Sequence, residues 1–430
     1  MFDEITAISK SVFGNLLALP CLMLGSLLSL ALLTASSANE ALPSVSDKID
    51  PATTLILYGT RHGNRNPETY LPENPRSWGY EGNTELTSIG KRQGYGLGHE
   101  LRTFIGNLTS NNYNSSEVKY YSSSANRCQM TLQVAVAGMH PPETWSDWNP
   151  LFDHWSPIPY SINDPLLRMY NEKCKTSDDA WAPISNDKLP FLKKTLKNDH
   201  DVLAYAQKNT GWKTTTNLGT AADLADNLIE ISLYNATYPD WILKPTIKGY
   251  TFESLKKKYL SYAEIHQNAC AEYGPCREMM GGLWLQTMLD ALNDKKNGKS
   301  KLKVIGFASH TEVTLSVMKL LGIDKDELTT SAGFVIEYKP TPTPSVRLLN
   351  HDPNPIDKHV IYKANVTKDL QKLQDANGFI PLEKYVKVVS PLGFSDYQAV
   401  CTGKKPLPEA LVNSSSFLMY PVLLLAMLLF

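Results

Sequence analysis

Two histidines, His62 and His310, each follow a short apolar run, and side chains fit for phosphate chemistry gather beside them. In T-T-L-I-L-Y-G-T-R-H-G-N-R-N-P (53–67), Arg61 and Arg65 flank His62. The two guanidinium groups are planar forks matched to phosphate oxygens, and an imidazole between them is a potential nucleophile. V-I-G-F-A (304–308) leads into His310, with Thr311 and Glu312 next in the chain. Arg127 opens a third apolar-patterned segment. So many cations around one point are costly without a balancing anion, and bidentate arginine contacts favour phosphate or carboxylate. Each residue alone is more often structural, because short motifs such as R-H-G also match by chance.

The surrounding pattern says what must position these groups. Leu55-Ile56-Leu57-Tyr58 reads as a buried strand that breaks at Gly59, and 118–122 alternates as a second strand. Thr87 is placed to cap a helix through Ile89, Leu97, Leu101 and Phe104. Met130, Leu132, Val134 and Val136 mark a buried helix opened by Arg127, and 141–165 is a Trp- and Pro-rich crossing. In the middle third, T-A-A-D (220–223) resembles a capping box, and Gly281-Gly282 leads a helix through Leu285, Met288 and Leu292. A helix through Leu315, Met318 and Leu321 follows His310, and 333–338 with 346–349 fit a hairpin. Strand–helix units at both ends with helices between them predict one α/β domain carrying a helical cap. Parallel strands would open His62, His310 and Arg127 onto one crevice.

With 430 residues, 42% hydrophobic and 20% charged, the chain can bury a large core. Basic and acidic residues balance at 42 and 43, so no global field points to nucleic acid, while a local cationic pocket stays open. No cysteine or histidine spacing fits a metal site. The apolar stretch 12–33 and A-S-S-A (35–38) predict a secretory signal over residues 1–38, with an uncleaved signal-anchor as the alternative. The uncharged 417–430 is short for a spanning helix and follows N-S-S-S (413–416). This points to a GPI-attachment signal with the anchor near Asn413 or Ser414, against an unprocessed hydrophobic tail. Asn107, Asn114, Asn235 and Asn365 head glycosylation sequons. Cys21 lies in the leader, and the five cysteines beyond it imply two disulfides and one free thiol. Cys128, beside Arg127, reads as a small buried hydrophobe rather than a pocket thiol.

R-H-G-N-R-N-P (61–67) resembles the R-H-G-x-R-x-P signature of the histidine acid phosphatases. E-L-T-S-I-G-K-R-Q-G-Y-G-L-G (85–98) resembles that family's L-T-x-x-G helix, and S-S-S-A-N-R-C-Q-M-T-L-Q (122–133) the segment bearing its third arginine. W-N-P at Trp148, W-S-P-I-P at Trp155 and Gly281-Gly282 also have counterparts in the animal prostatic, lysosomal and insect venom-type enzymes. The likeness spans Thr53 to Cys401.

The resemblance implies an α/β fold of phosphoglycerate-mutase type, a mixed central sheet flanked by helices. Its domain is 39–413, with a core of about 52–150 and 276–401, a cap of about 151–275, and 414–430 as the tail. It implies an acid phosphatase acting on phosphomonoesters, with His62 as nucleophile, Arg61, Arg65, Arg127 and His310 on the phosphate, and no metal or cofactor. It pairs Cys174 with Cys401, leaving Cys270 and Cys276 to bond to each other. It is compatible with a homodimer, and with a secreted, membrane-tethered or lysosomal setting. One position departs from the pattern. The family has His-Asp at the second histidine, whereas Thr311 stands at that acid position here. A hydroxyl lacks a suitable pKa for proton donation in acid. Glu312 is the nearest carboxyl group, at the spacing of the His-Ala-Glu of multiple inositol polyphosphate phosphatases, and is the expected donor. Two other functions stay open: a weakened phospho-ligand binder, and an inositol polyphosphate phosphatase.

Overall fold

Strand β1 (Leu55–Arg61) is buried along its whole length because both of its faces are covered. Leu55 and Leu57 enter one apolar core, and Ile56 and Tyr58 enter another. A strand buried on both sides reads as an apolar run, which is the pattern of its first four residues, but the strand does not break at Gly59 as expected and runs on through Thr60 to Arg61. The computed structural model describes residues 42–72, 74, 82–143, 155–212 and 217–408. The predicted signal, the tail with Asn413 and Ser414, the W-N-P at Trp148 and part of the 67–83 loop lie outside the described residues.

Beside β1 lie β2 (Val118–Ser122), β3 (Ser161–Ile162), β4 (Val304–Ser309), β5 (Gly333–Lys339), β6 (Ser345–Pro353) and β7 (His359–Lys363). The order is β3-β2-β4-β1-β5-β6-β7, and β8 (Phe379–Pro381) pairs with β6. β4 is parallel to both β1 and β2, and β5 runs antiparallel to β1, so the sheet is mixed. The β1–β4 register sets Arg61 opposite Ser309. Both strands therefore finish at the same level, and the next residues, His62 and His310, emerge together.

Helices α1 (Ser88–Ile105) and α2 (Asn126–Met139) supply Leu97, Leu101, Leu132 and Val136 to the core on one face. Thr87 caps α1 by accepting from the Gly90 N–H. On the other face, Trp284 of helix Gly274–Lys296 packs between Phe307 and Phe334, with centroids 5.3 and 5.6 Å away. Between β3 and β4 every named element is a helix.

Two further local expectations change. Helix Leu218–Leu233 starts ahead of the T-A-A-D segment, and its cap is Asn217, whose side chain accepts from the Thr220 N–H. Gly281 and Gly282 lie inside helix Gly274–Lys296 rather than at its start. Their role is close packing: a Cβ on Gly281 would sit 2.7 Å from the Val317 backbone nitrogen of the neighbouring helix. Disulfides join Cys174 to Cys401 and Cys270 to Cys276, and Cys128 is a buried free thiol. Among the described residues no helix is long and apolar enough to cross a membrane.

Candidate active site

The loop after β1 is clamped by both helices of one face. The Gly63 N–H donates to Thr131 Oγ1 on α2 (3.0 Å), and the Asn64 N–H to Gln93 Oε1 on α1 (2.8 Å). The approach requires glycine, since a Cβ on Gly63 would lie 2.5 Å from the Gly90 carbonyl oxygen. The His62 N–H donates to the Ser309 carbonyl (2.9 Å), which ties the loop to β4.

Hydrogen bonds fix both imidazole tautomers. His62 Nδ1 lies 2.8 Å from the Gly63 carbonyl oxygen, which can only accept. Nδ1 therefore carries the proton and Nε2 holds a lone pair. His310 Nδ1 lies 3.1 Å from Nη2 of Arg127, a group that can only donate, and His310 Nε2 is 3.0 Å from Ser123 Oγ. His310 thus keeps its proton on Nε2. Burial holds the His62 pKa well below 6.5, helped by Arg127, Arg61, His310 and Arg65. Burial does the same to His310, with Arg127 and Arg168 next in effect.

His62, Arg65, Arg127, His310, Thr311 and Glu312 all line one cavity of about 430 Å³. Arg61 stands behind this wall. It donates through Nη1 to the Leu328 carbonyl (2.6 Å) and pairs through Nη2 with Glu264. Arg65 pairs with Asp226 at 2.9 Å. The buried Nε atoms of Arg61 and Arg127 have no hydrogen-bond partner among the described residues. Such unmet donors in a cationic site suit an incoming anion.

Thr311 and Glu312 open helix Thr311–Leu320, for which His310 is the N-cap. Burial pushes the Glu312 pKa above its usual 4.5, against its own backbone N–H and the Tyr170 hydroxyl, which is close enough to hydrogen-bond it. A carboxyl that keeps its proton in mild acid can donate it. Cys128 Sγ donates to the Ser309 carbonyl (3.2 Å), and burial raises its pKa to about 11, so it stays a thiol in acid. Among the described residues no group of three or more His, Cys, Asp or Glu side chains could hold a metal ion.

The model of the histidine phosphatase superfamily (branch 2) matches residues 57–339. The chain belongs to this family. Bovine prostatic acid phosphatase is 26% identical over 276 residues, covering 62% of this chain and 67% of that one. A putative acid phosphatase of Caenorhabditis elegans is 26% identical over 397 residues, covering 87% and 86%. A venom acid phosphatase of Apis mellifera is 23% identical over 372 residues, covering 83% and 89%. Among solved structures, Hafnia alvei phytase in complex with tartrate aligns at TM-score 0.56 and 14% identity, covering 80% of this chain and 97% of that one. That likeness concerns the fold.

In this histidine phosphatase, three side chains at the site carried no sequence signal. Tyr170 stands edge-on to His310, with ring centroids 5.7 Å apart, and Asp226 and Glu264 hold Arg65 and Arg61. All three come from the stretch between β3 and β4, where no motif names them.

Proposed function

We propose that this histidine phosphatase hydrolyses phosphomonoesters in acid through a phosphohistidine on His62. The observation that carries the reading is the bare Nε2 of His62 on a residue lining the cavity, with its proton parked on Nδ1 against Gly63. In the first step Nε2 forms the N–P bond, the P–O bond to the alcohol breaks, and Glu312 protonates the leaving oxygen. In the second, Glu312 takes a proton from water, the water oxygen bonds phosphorus, and the N–P bond breaks. Arg65 and Arg127 hold the equatorial oxygens, His310 turns its Nε2–H from Ser123 Oγ to the entering phosphate, and Arg61 adds charge from behind. Because burial, and after it the arginines, oppose imidazolium, the nucleophile stays neutral in acid.

The outer cavity wall favours a monophosphate over an inositol polyphosphate. Glu68 and Asp178 line it, and no lysine does among the described residues. A multiply charged ester would meet repulsion there.

We further infer passage through an oxidising compartment, as a secreted or lysosomal enzyme. Two disulfides and four exposed sequon asparagines, Asn107, Asn114, Asn235 and Asn365, support it. Tethering through the tail and homodimer formation are extensions of the same reading.

The test is turnover of an aryl phosphate and an alkyl phosphate by purified protein from pH 4 to 8. Expected are activity on both and an acid optimum. Phosphate binding without any turnover would instead identify a phospho-ligand binder.

A further inference from the structure

Glu264 has φ 54 and ψ 22, the left-handed region that a residue with a Cβ rarely enters. Strain of this kind persists where surrounding contacts over-determine it, and here the contacts are specific. Glu264 precedes helix Ile265–Glu272 but makes no side-chain cap to it. Its carboxylate pairs instead with Arg61, and it lines the phosphate cavity together with Thr311. It also lines a second cavity of about 280 Å³ that includes Arg61, Arg65 and Asp226. Burial raises its pKa, but Arg61 and Arg65 outweigh burial and keep it ionised, and the Thr311 hydroxyl is close enough to hydrogen-bond it.

This placement bears on the odd residue at position 311. A threonine hydroxyl can donate to a fixed carboxylate, whereas an ionised aspartate can only accept. An aspartate at 311 would set a second carboxyl against Glu264 where water is largely excluded; the two would share one proton between them, which is then held against Glu264 rather than offered to the leaving oxygen. We propose that Glu264 is a positioning residue that fixes Arg61, excludes a carboxylate from position 311, and so leaves proton donation to Glu312. The proposal rests on the phosphohistidine reading above. It treats Glu264, Thr311 and Glu312 as one coupled set.

The coupling is read on an alkyl phosphate, whose leaving group needs a proton, with an aryl phosphate as the reference that does not. Thr311→Asp, Glu264→Gln and the double substitution are each made with Glu312 intact and with Glu312→Gln. The glutamine keeps an amide that can bond Arg61 through its oxygen and a carboxyl at 311 through its NH₂. In the Glu312→Gln background, Thr311→Asp alone should leave alkyl turnover at least tenfold depressed. Adding Glu264→Gln should restore alkyl turnover at least tenfold relative to the aryl turnover of the same variant, and return a basic limb to the alkyl pH profile. Equal rescue by Thr311→Asp with or without Glu264→Gln would overturn the proposal. So would a double variant that folds, turns over the aryl ester and gains nothing on the alkyl ester. Absence of aryl turnover in the unsubstituted protein would instead strike the phosphohistidine reading itself.

Discussion

His62 and His310 face each other with ring centroids 5.6 Å apart and ring planes inclined by 71°. Neither is held by its neighbours in sequence alone. The pair exists because β1 and β4 run parallel in a register that ends both strands at one level. Each ring is then locked by a partner of fixed hydrogen-bonding character, a carbonyl for His62 and a guanidinium for His310. Two neutral imidazoles with opposite tautomers result, one presenting a lone pair on Nε2 and the other an N–H.

His62→Ala should abolish chemistry while leaving the fold intact. Removing a covalent nucleophile typically costs at least ~10⁴-fold in kcat. The expected result is loss of aryl phosphate turnover by that order, with no acid-labile phosphoryl group trapped on the quenched protein. A variant retaining more than about a hundredth of the activity would show that phosphate transfer does not pass through His62.

Arg127→Gln should shift the acid limb of kcat/KM to higher pH as well as weaken substrate binding. After burial, the Arg127 charge contributes most to lowering both histidines. Removing it lets both pKa values rise toward 6.5, so protonation of His62 begins at a higher pH. Lysine in its place should keep much of the pH profile and still raise KM, since the planar fork is lost. A pH–rate profile of each variant on an aryl phosphate measures this. An unmoved acid limb in Arg127→Gln would contradict the electrostatic account.

Much of this arrangement was legible in the chain, and the limits have physical causes. His62 and His310 announce themselves because a strand buried on both faces must be an apolar run, and a histidine at its end breaks the pattern. Thr87 reads correctly because a capping hydroxyl acts three residues away, on the Gly90 N–H. Asn217 and Thr220 are both able to cap, and local sequence does not say which of two nearby starts the core prefers. Gly281-Gly282 looked like a helix start because glycine is a poor helix former, yet close packing against Val317 outweighs that cost. Glu264, Tyr170 and Asp226 were illegible because their meaning depends on where helices dock, which no spacing records. The Arg61–Glu264 pair, in particular, depends on residues far apart in the chain.

Glu312→Gln should separate the two kinds of substrate. A general acid contributes roughly 10²–10⁴-fold where the leaving group needs a proton and far less where it does not. Alkyl phosphate turnover should fall by that order, and aryl turnover by only a few-fold. The Glu312 pKa is raised above 4.5, so the group is protonated below that raised value and loses its proton above it. The basic limb of the alkyl profile should therefore vanish in the variant. Equal losses on both esters would make the role of Glu312 one of placement.

His351→Gln should make the protein less sensitive to acid. His351 is fully buried on β6, with Nε2 3.0 Å from the carbonyl of Gly59 in β1, the strand that leads into His62. Burial pushes its pKa from 6.5 down to about 4, against the bond to Gly59, which raises it. The unfolded chain therefore takes up a proton between those values that the folded protein refuses. Stability from this group is complete above pH 6.5 and is lost progressively as pH falls toward 4, on the order of 3 kcal/mol in all. Glutamine can still donate to Gly59 and does not titrate in this range. Urea unfolding at pH 7, 5.5 and 4 should show a smaller decline in the variant than in the unsubstituted protein, even if the variant is weaker at pH 7. Parallel declines would mean that His351 is not what the acid attacks, and would turn attention to His140 and His359, whose pKa values burial also lowers.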